Sequence, residues 1–564
     1  MACILLSSIE TVICETSSSN RLNQMGAASI SPKTENGSLA DLSRVRLIFV
    51  LVGLSLTLLT ATLDQAIAIT AMPRAIAALN GFALYSWPTT SLLLTSTIAM
   101  AVFAKLSDLY GRKRFYVFSA AIFVVSLLFC GAAGNLPIPL DGMNQLIVFR
   151  GFLGIGNGAI LALTYTLVAD LFSPSERGRY QGLLAAVSGV AFVVGPSLGG
   201  WITDHFSWRW AFYLDVPLGA VAITVVYFAL PDFRPGYARR SIDWAGIATL
   251  CGWLVPLLLA LTWVGQSSWS APSIRALLIA SAGLLAAFLM IEKRAVEPLL
   301  VLNLFRNPRI ALTSANFFLL GISLFGVAVY VPLFLQGVLG ASAARSGAVF
   351  AQYTISLIAG SVICGQLLSK TGKYRLFAMG GAGLSALGLF LLSRMDGGTT
   401  QLELLRNAII CGIGFGALTP TYEVLVQNAT PKEQMGVATG ATQFFRTIGG
   451  TLGLALFGTM LLTLYHRHFD RLIPAGTATS LTQAFDNPLQ LFFARPNLET
   501  AFTHVAHGRL LLVSLLDGAR AGLLSALHFI FLLGAGIMAV SFALNLLTSD
   551  VSVQSSEMTS ERQL

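Results

Sequence analysis

The most informative segment of this chain is AKLSDLYGRKR, residues 104–114, in which five charged residues separate two long apolar runs. A second segment, GQLLSKTGKYR at residues 365–375, repeats the leucine, the glycine and the trailing basic residues at the same offsets. The flanking runs of about 20 residues are long enough for helices to cross a bilayer core of ~30 Å. The two segments therefore predict a membrane protein built from two related halves, each with this segment between its second and third helices.

The composition agrees with a helical membrane protein. The 564 residues are 55% hydrophobic and 11% charged, and the mean hydropathy is +0.74. Soluble domains carry about 25% charged residues, so a soluble, disordered, collagenous or disulfide-stapled chain is excluded. The sequence contains no P-loop, no H-E-x-x-H and no nucleophile elbow, which predicts no cofactor, no metal site and no enzymatic activity. The net charge of +9 is assigned to loops on one side of a bilayer rather than to nucleic-acid binding.

Apolar runs of this length recur from Arg46 onward, and we count about fourteen of them. The predicted fold is an all-α membrane protein with two six-helix bundles and two additional helices. The predicted spans are 46–68, 86–106, 115–134, 144–170, 179–202, 210–230, 243–263, 273–291, 309–334, 346–369, 377–394, 403–425, 436–462 and 521–547. The predicted domains are a disordered tail at 1–45, a first bundle at 46–230, an inserted helix pair with linkers at 231–308, a second bundle at 309–547 that includes a long loop at 465–520, and a tail at 548–564.

The basic residues predict the orientation. They concentrate in alternate loops, and the loops with Arg112–Arg114 and Lys370–Arg375 lie on the richer side, which is the cytosolic side in membrane proteins. An even number of spans places both termini in the cytosol and the 465–520 loop outside. The first residues lack the pattern of a signal peptide, and Met25 is an alternative first residue. A multi-pass protein of the cytoplasmic membrane is predicted.

Two motifs resemble signatures of the major facilitator superfamily. Residues 104–114 are similar to its loop motif G-x-L-x-D-x-x-G-R-K, with Ala104 in place of the first glycine. The fifth span resembles the antiporter signature G-x8-G-x3-G-P-x2-G-G, with Ala191 in place of one glycine. The residues that carry this second match are Gly182, Ala191, Gly195, Pro196, Gly199 and Gly200. Together with segments near Asp64, Trp208 and Gly436, they resemble the 14-helix drug:proton antiporter family over nearly all of 46–462.

The resemblance implies a conformational latch at the loop motif. In this family the charges at Asp108 and Arg112 pair with an acidic residue at the end of the fourth helix, here Asp170. Gly111 permits the tight turn between the two helices. In the second copy Ser369 stands at the aspartate position, so that latch is expected to be absent or weak. Charges that only set the topology are the alternative explanation.

Proton coupling is predicted at Asp64 and Arg150. Arg150 lies about six residues, or ~9 Å, inside its predicted helix, where an arginine costs at least roughly 2.5 kcal/mol unless it faces a partner or a cavity. Asp64 lies at a similar depth on the first helix, so the two are expected to pair. The resemblance ties the helix-four arginine to proton transfer. The alternative for Arg150 is that it snorkels to the outer membrane surface. The alternative for Asp64 is that it already lies in water at the helix end.

A second set of polar residues is predicted to face a central cavity. Its members are Gln65 on the first helix, Glu423 and Gln427 near the end of the twelfth, and Gln443 and Arg446 on the thirteenth. Arg446 lies near mid-membrane and requires an acidic partner that the sequence does not identify, or backbone carbonyls of a broken helix. Asp215 replaces an asparagine of the family pattern and adds a titratable group that is expected near the outer surface.

These features predict a proton-coupled exporter of amphipathic small molecules that works as a monomer by alternating access. Ala66 and Ile69 make the first helix less polar than the family pattern, which favours an amphipathic substrate. A proton-coupled symporter that takes up a metabolite is the alternative, and a membrane receptor that transports nothing is a more distant one.

Overall fold

The structure is a computed structural model that describes residues 43–172, 174–231, 243–264, 270–295, 298, 301–430, 435–472 and 508–547. The predicted tails at 1–45 and 548–564 lie outside these residues, apart from 43–45, and so do parts of the 231–308 region. Several side chains within the helices are also not described, among them that of Asp108.

Fourteen long helices account for most of the described chain. They are α1 Arg44–Ala78, α2 Trp87–Tyr110, α3 Arg112–Ala132, α4 Gly142–Leu171, α5 Pro174–His205, α6 Asp215–Ala229, α7 Trp244–Val264, α8 Pro272–Arg294, α9 Pro308–Leu333, α10 Ala343–Thr371, α11 Tyr374–Leu392, α12 Gln401–Asn428, α13 Met435–Leu472 and α14 Gly508–Leu546. A short helical turn, Trp210–Tyr213, precedes α6, and the segment Phe334–Val338 extends α9 as a π-helix.

The predicted spans agree with these helices. Thirteen helices are long and apolar enough to cross a membrane within the described residues, and each overlaps a predicted span. The remaining predicted span, 86–106, coincides with α2. The loop predicted at 465–520 is narrower, because α13 continues to Leu472 and α14 begins at Gly508. The apolar run that starts at Leu510 therefore extends the last helix.

Local sequence signals explain several helix starts. Pro272 and Pro308 occupy the first turns of α8 and α9, where the missing N–H of proline is tolerated. Thr400 and Glu403 form a reciprocal capping box at the start of α12, so two otherwise unpaired backbone N–H groups are satisfied. These signals define where α8, α9 and α12 begin.

The helix packing repeats between the two halves. In the first half α1 packs against α5 and α6, and α4 packs against α2 and α3. In the second half α9 packs against α13 and α14, and α12 packs against α10 and α11. Adding eight to each helix number converts the first set into the second. The contacts between the halves obey the same rule, since α5 packs on α10 and α13 packs on α2.

The inserted pair, α7 and α8, packs against itself and lies outside the repeat. Helix α7 also contacts α13 and α2. Leu254 and Leu258 of α7 share an apolar cluster with Ile448 and Ala455 of α13. The pair therefore lies against α13 of the second half and also contacts α2 of the first half.

The two ends of the bundle differ in charge, and we name them by this difference. The basic end carries the turns at Gly111 and Gly372, which are followed by basic residues. Both glycines have positive φ, 110° and 63°, which a residue with a side chain adopts only with strain. The opposite end, which carries Arg74, Asp204 and Ala343, is called the distal end.

Candidate functional site

Asp64 and Arg150 form a buried ion pair between α1 and α4. Nη1 of Arg150 lies 3.1 Å from Oδ2 of Asp64 and 3.4 Å from Oδ1. The two residues are 1% and 2% exposed. The ring of Phe212 lies beneath the guanidinium, 5.8 Å from Cζ to the ring centroid. Two charges hidden from water in this way are costly to keep, which is why such pairs mark functional sites in membrane helices.

A polar bridge continues from this pair toward the basic end. Nε2 of Gln65 donates to Oδ1 of Asn157 at 3.0 Å, and Nδ2 of Asn157 donates to the carbonyl of Ala61 at 2.9 Å. Asn157 lies two turns after Arg150 on α4, so the same face of α4 carries both. Asn157 was not predicted from the sequence, although an asparagine seven residues from a buried arginine on the same helix is a usable signal.

The loop motif brings Arg112 and Asp170 together at the basic end. Nε of Arg112 lies 2.9 Å from Oδ2 of Asp170, and its Nη1 donates to Oγ of Ser107 at 2.7 Å. Arg112 is buried, so its charge depends on these partners. The side chain of Asp108 is not among those described. Ser107 was not predicted, and it joins α2 to the start of α3.

The small-residue stripe of α5 packs against α1. Ala191 is buried there, and a Cβ added at Gly195 would meet Cβ of Ala66. A Cβ at Gly199 would lie 2.7 Å from the carbonyl oxygen of Ile67. The two helices thus touch through their backbones. The close contact with α5 accounts for the small size of Ala66.

The adjacent face of α5 packs against α10 of the other half. A Cβ at Gly200 would meet the carbonyl oxygen of Ala343, and one at Gly347 would meet the carbonyl oxygen of Pro196. The hydroxyl of Thr70 donates to the same Pro196 carbonyl at 3.1 Å. Helix α5 therefore has two close-packed faces, one toward its own half and one toward the other half.

Asp204 closes the distal end between the halves. Its Oδ1 lies 2.7 Å from Nη2 of Arg74, which lies in the last turns of α1. The same carboxylate accepts the backbone N–H groups of Ala343 and Ala344 at 3.2 and 2.7 Å. These are the first N–H groups of α10, and a negative charge is favourable there. Asp204 lies one turn after Gly200, so the contact continues the α5 stripe.

Replacing Asp204 with Asn is expected to weaken this distal contact. The variant loses the ion pair and one charge-assisted bond to α10, worth about 1–2 kcal/mol at a partly exposed site. We expect faster labelling of a cysteine placed at Thr70, by about 5–30-fold. An Asp141→Asn variant, whose carboxylate lies on an exposed distal loop, is the control. Equal labelling of the two variants would contradict the role of Asp204.

The second half carries a separate polar cluster. Nε2 of Gln443 donates to Oε1 of Glu423 at 2.9 Å, and Arg446 interacts electrostatically with Glu423. Glu423 is thus the acidic group near Arg446 that the sequence left unidentified. Glu423 also interacts electrostatically with Tyr165 of α4. The cluster therefore faces the first half. Gln427 is half-buried one turn further along α12.

Two residues of the sequence motifs have unexpected positions. Asp215 was predicted near the outer surface, but it is 0% exposed because α1 and α3 cover the start of α6. Gly182 is exposed, and within the described part of the chain no atom of a neighbouring helix lies within 4 Å of the position that its Cβ would take. Gly182 therefore does not share the close helix contacts of Gly195, Gly199 and Gly200.

The fold and these motifs define a transporter of two pseudosymmetric six-helix halves. The family model of the Major Facilitator Superfamily matches residues 54–454, so the chain belongs to this superfamily. Members of this superfamily carry small molecules across membranes, which points to a transporter and not to an enzyme.

Several named relatives are similar over most of the chain. The multidrug transporter protein MdtP of Bacillus subtilis (strain 168) is 36% identical over 411 residues, which cover 72% of this chain and 74% of the relative. Multidrug resistance protein 3 of the same organism is 34% identical over 452 residues, or 79% and 86%. An MFS-type efflux pump, LUC4 of Fusarium sp., is 28% identical over 493 residues, or 84% and 85%. The relatives support transport and efflux.

Among solved structures, a bacterial homolog of the human lysosomal transporter Spinster matches with a TM-score of 0.59 and 16% identity, covering 90% of this chain and 100% of that one. The D-xylose-proton symporter matches with a TM-score of 0.52 and 15% identity, covering 74% and 90%. At this identity the likeness concerns the fold alone.

Proposed function

We propose that this protein exports amphipathic drugs or toxic small molecules across the cytoplasmic membrane in exchange for protons. The observation that carries the proposal is the buried Asp64–Arg150 pair, which lies beside the close contact of α1 with α5. A buried carboxylate paired to a single arginine changes its environment greatly when it takes up a proton. The names of the bacterial relatives support a drug as the substrate.

In this proposal the basic end faces the cytosol, and both termini lie there. The loops at this end carry an excess of Lys and Arg, which is typical of the cytosolic side of a membrane protein. The distal end, closed by Asp204, is then the outer gate. The cycle opens that gate and closes the basic end, where Asp108, Gly111, Arg112 and Asp170 act as the latch.

The substrate is proposed to bind between the halves near the bilayer midplane. Polar groups there would come from Gln65 in the first half and from the Glu423 cluster in the second, with Gln427, Gln443 and Arg446. A few polar groups on apolar walls suit an amphipathic molecule. We propose that one protein chain suffices, because each chain contains both halves.

The energy for export would come from the proton gradient. Protonation of Asp64 from the outside releases Arg150, and this change favours the conformation that returns the proton to the cytosol. The membrane potential supplies ~2.3 kcal/mol per charge per 100 mV. One net charge per cycle then supports roughly 50-fold accumulation, since 1.4 kcal/mol corresponds to a factor of ten.

The proposal is tested with the purified full-length protein in liposomes that are more acidic inside than outside. A permanently charged lipophilic cationic dye is added outside, so passive trapping of a weak base is avoided. Antiport predicts uptake of the dye in exchange for protons, and a protonophore should stop this uptake. A metabolite that is instead driven out of the acidic liposomes together with protons would establish a symporter and overturn the proposal.

A further inference from the structure

Asp215 is a buried carboxyl that the mechanism above does not use. It is the first residue of α6 and is 0% exposed. Neither of its oxygens has a hydrogen-bond partner among the described residues. A buried carboxylate without a donor or counter-ion is strongly unfavourable, so the group must be neutral or must recruit a cation.

Within the described part of the chain, the charged group that acts on Asp215 is itself acidic. Helix α1 packs on α6 and presents Asp64, which interacts electrostatically with Asp215. Arg150 of α4 lies over Phe212, one helical turn before Asp215, and is already paired with Asp64. The nearest basic residue in sequence is Arg209, but its guanidinium binds other groups. Its Nη1 donates to two carbonyls at the end of α3, at 2.7 and 2.6 Å.

Helix α3 is the other neighbour of α6, and its described residues place no basic side chain near Asp215. Its contact with α6 is apolar, since a Cβ at Gly219 would meet the side chain of Val124. The thiol of Cys130 is buried near Asp64 and Arg150. Lys113 of α3 lies over the ring of Tyr227, at the opposite end of α6 from Asp215.

The cluster therefore contains two carboxyls and one guanidinium. With both carboxyls ionised it carries an excess negative charge, and with one proton bound it is neutral. It also holds a spare donor, because Nε of Arg150 has no partner within the described part of the chain. When two carboxyls share one site, one of them keeps a proton that the pair releases as a unit.

We propose that Asp215 is a second proton-binding residue and that Asp64 and Asp215 share a single proton beside Arg150. In the conformation described, Asp64 is the anion of the pair and Asp215 carries the proton. When Asp64 is protonated instead, Asp215 becomes the anion that compensates Arg150. The role of this proton in transport rests on the proposed proton coupling, whereas its presence in the cluster does not.

Infrared spectroscopy of the reconstituted full-length protein tests the proposal directly, because a protonated carboxyl has a C=O band that a carboxylate lacks. The samples are the wild type, Asp64→Asn, Asp215→Asn and Asp141→Asn. Asparagine matches aspartate in shape, and it is the residue of the family pattern at position 215. The band of one protonated carboxyl is expected in the wild type and in Asp141→Asn.

That band should disappear in both Asp215→Asn and Asp64→Asn, because either change leaves one carboxylate paired with Arg150 and no charge to neutralise. A band that persists in either variant overturns the shared proton. Dye transport by the same samples separates the two proposals. A wild type that shows the band but moves no dye against a proton gradient contradicts the exporter and leaves the proton site standing. The proton site is contradicted, and the exporter is not, if Asp215→Asn still exports the dye with unaltered pH dependence and shows an unaltered band.

Discussion

Asp64→Asn is expected to abolish dye accumulation driven by a pH gradient. The variant removes the carboxylate that pairs with Arg150 at 3.1 Å and leaves a buried guanidinium without that anion. An uncompensated buried charge costs about 3–5 kcal/mol. Because Asp215 becomes the anion beside Arg150 in this variant, the loss of stability should be smaller than that, and the protein should denature at a moderately lower temperature. Arg150→Met removes the cation and leaves the buried Asp64 carboxylate without it. A similar loss of transport is expected.

The double variant, Asp64→Asn with Arg150→Met, distinguishes coupling from stability. It removes both charges, so most of the lost stability should return, while gradient-driven transport should stay absent. Thermal denaturation in detergent and dye uptake in liposomes are measured on the same preparations, with Asp141→Asn as the control. Proton-coupled uptake by the double variant at the wild-type rate would show that the pair has no role in coupling.

Part of this architecture could be predicted because membrane burial restricts the sequence strongly. Apolar runs located the helices, and the repeated loop motif predicted the related halves that the packing now displays. The pairing of Asp64 with Arg150 was predictable for the same reason. An ionisable side chain in an apolar helix needs a partner, and few residues at that depth can supply one.

Other features depend on which helices meet, and a single sequence carries little of that information. In the sequence, Asp204 looks like an ordinary charge at a helix end. Its role as a partner for the first N–H groups of α10 depends on where α10 lies in the fold. The contact of Ala66 with α5 was likewise not predictable, because it depends on which helix covers α1. The burial of Asp215 was not predicted, because it depends on α1 and α3 packing against α6. Glu423 and Arg446 were both singled out, but their proximity required the crossing of α12 and α13.

Gly200→Ala is expected to disturb transport much more than Gly182→Ala, although both glycines belong to the same signature and the same helix. At Gly200 an added Cβ would meet the carbonyl oxygen and backbone of Ala343, which cannot rotate away. Overpacking of this kind costs about 1–3 kcal/mol, which corresponds to a change of about 5–150-fold in a two-state equilibrium. The cost falls only on conformations in which α5 touches α10.

The variant should therefore fold, because separation of α5 from α10 relieves the clash, but it should populate forms with an open distal end. A cysteine at Thr70, in a background without the native cysteines, reports this opening because Thr70 is buried against Pro196 in the closed form. Labelling should accelerate and dye transport should slow in Gly200→Ala, while Gly182→Ala should match the parent in both. Parent-like labelling in Gly200→Ala would mean that the α5–α10 contact is not the part of the distal gate that opens.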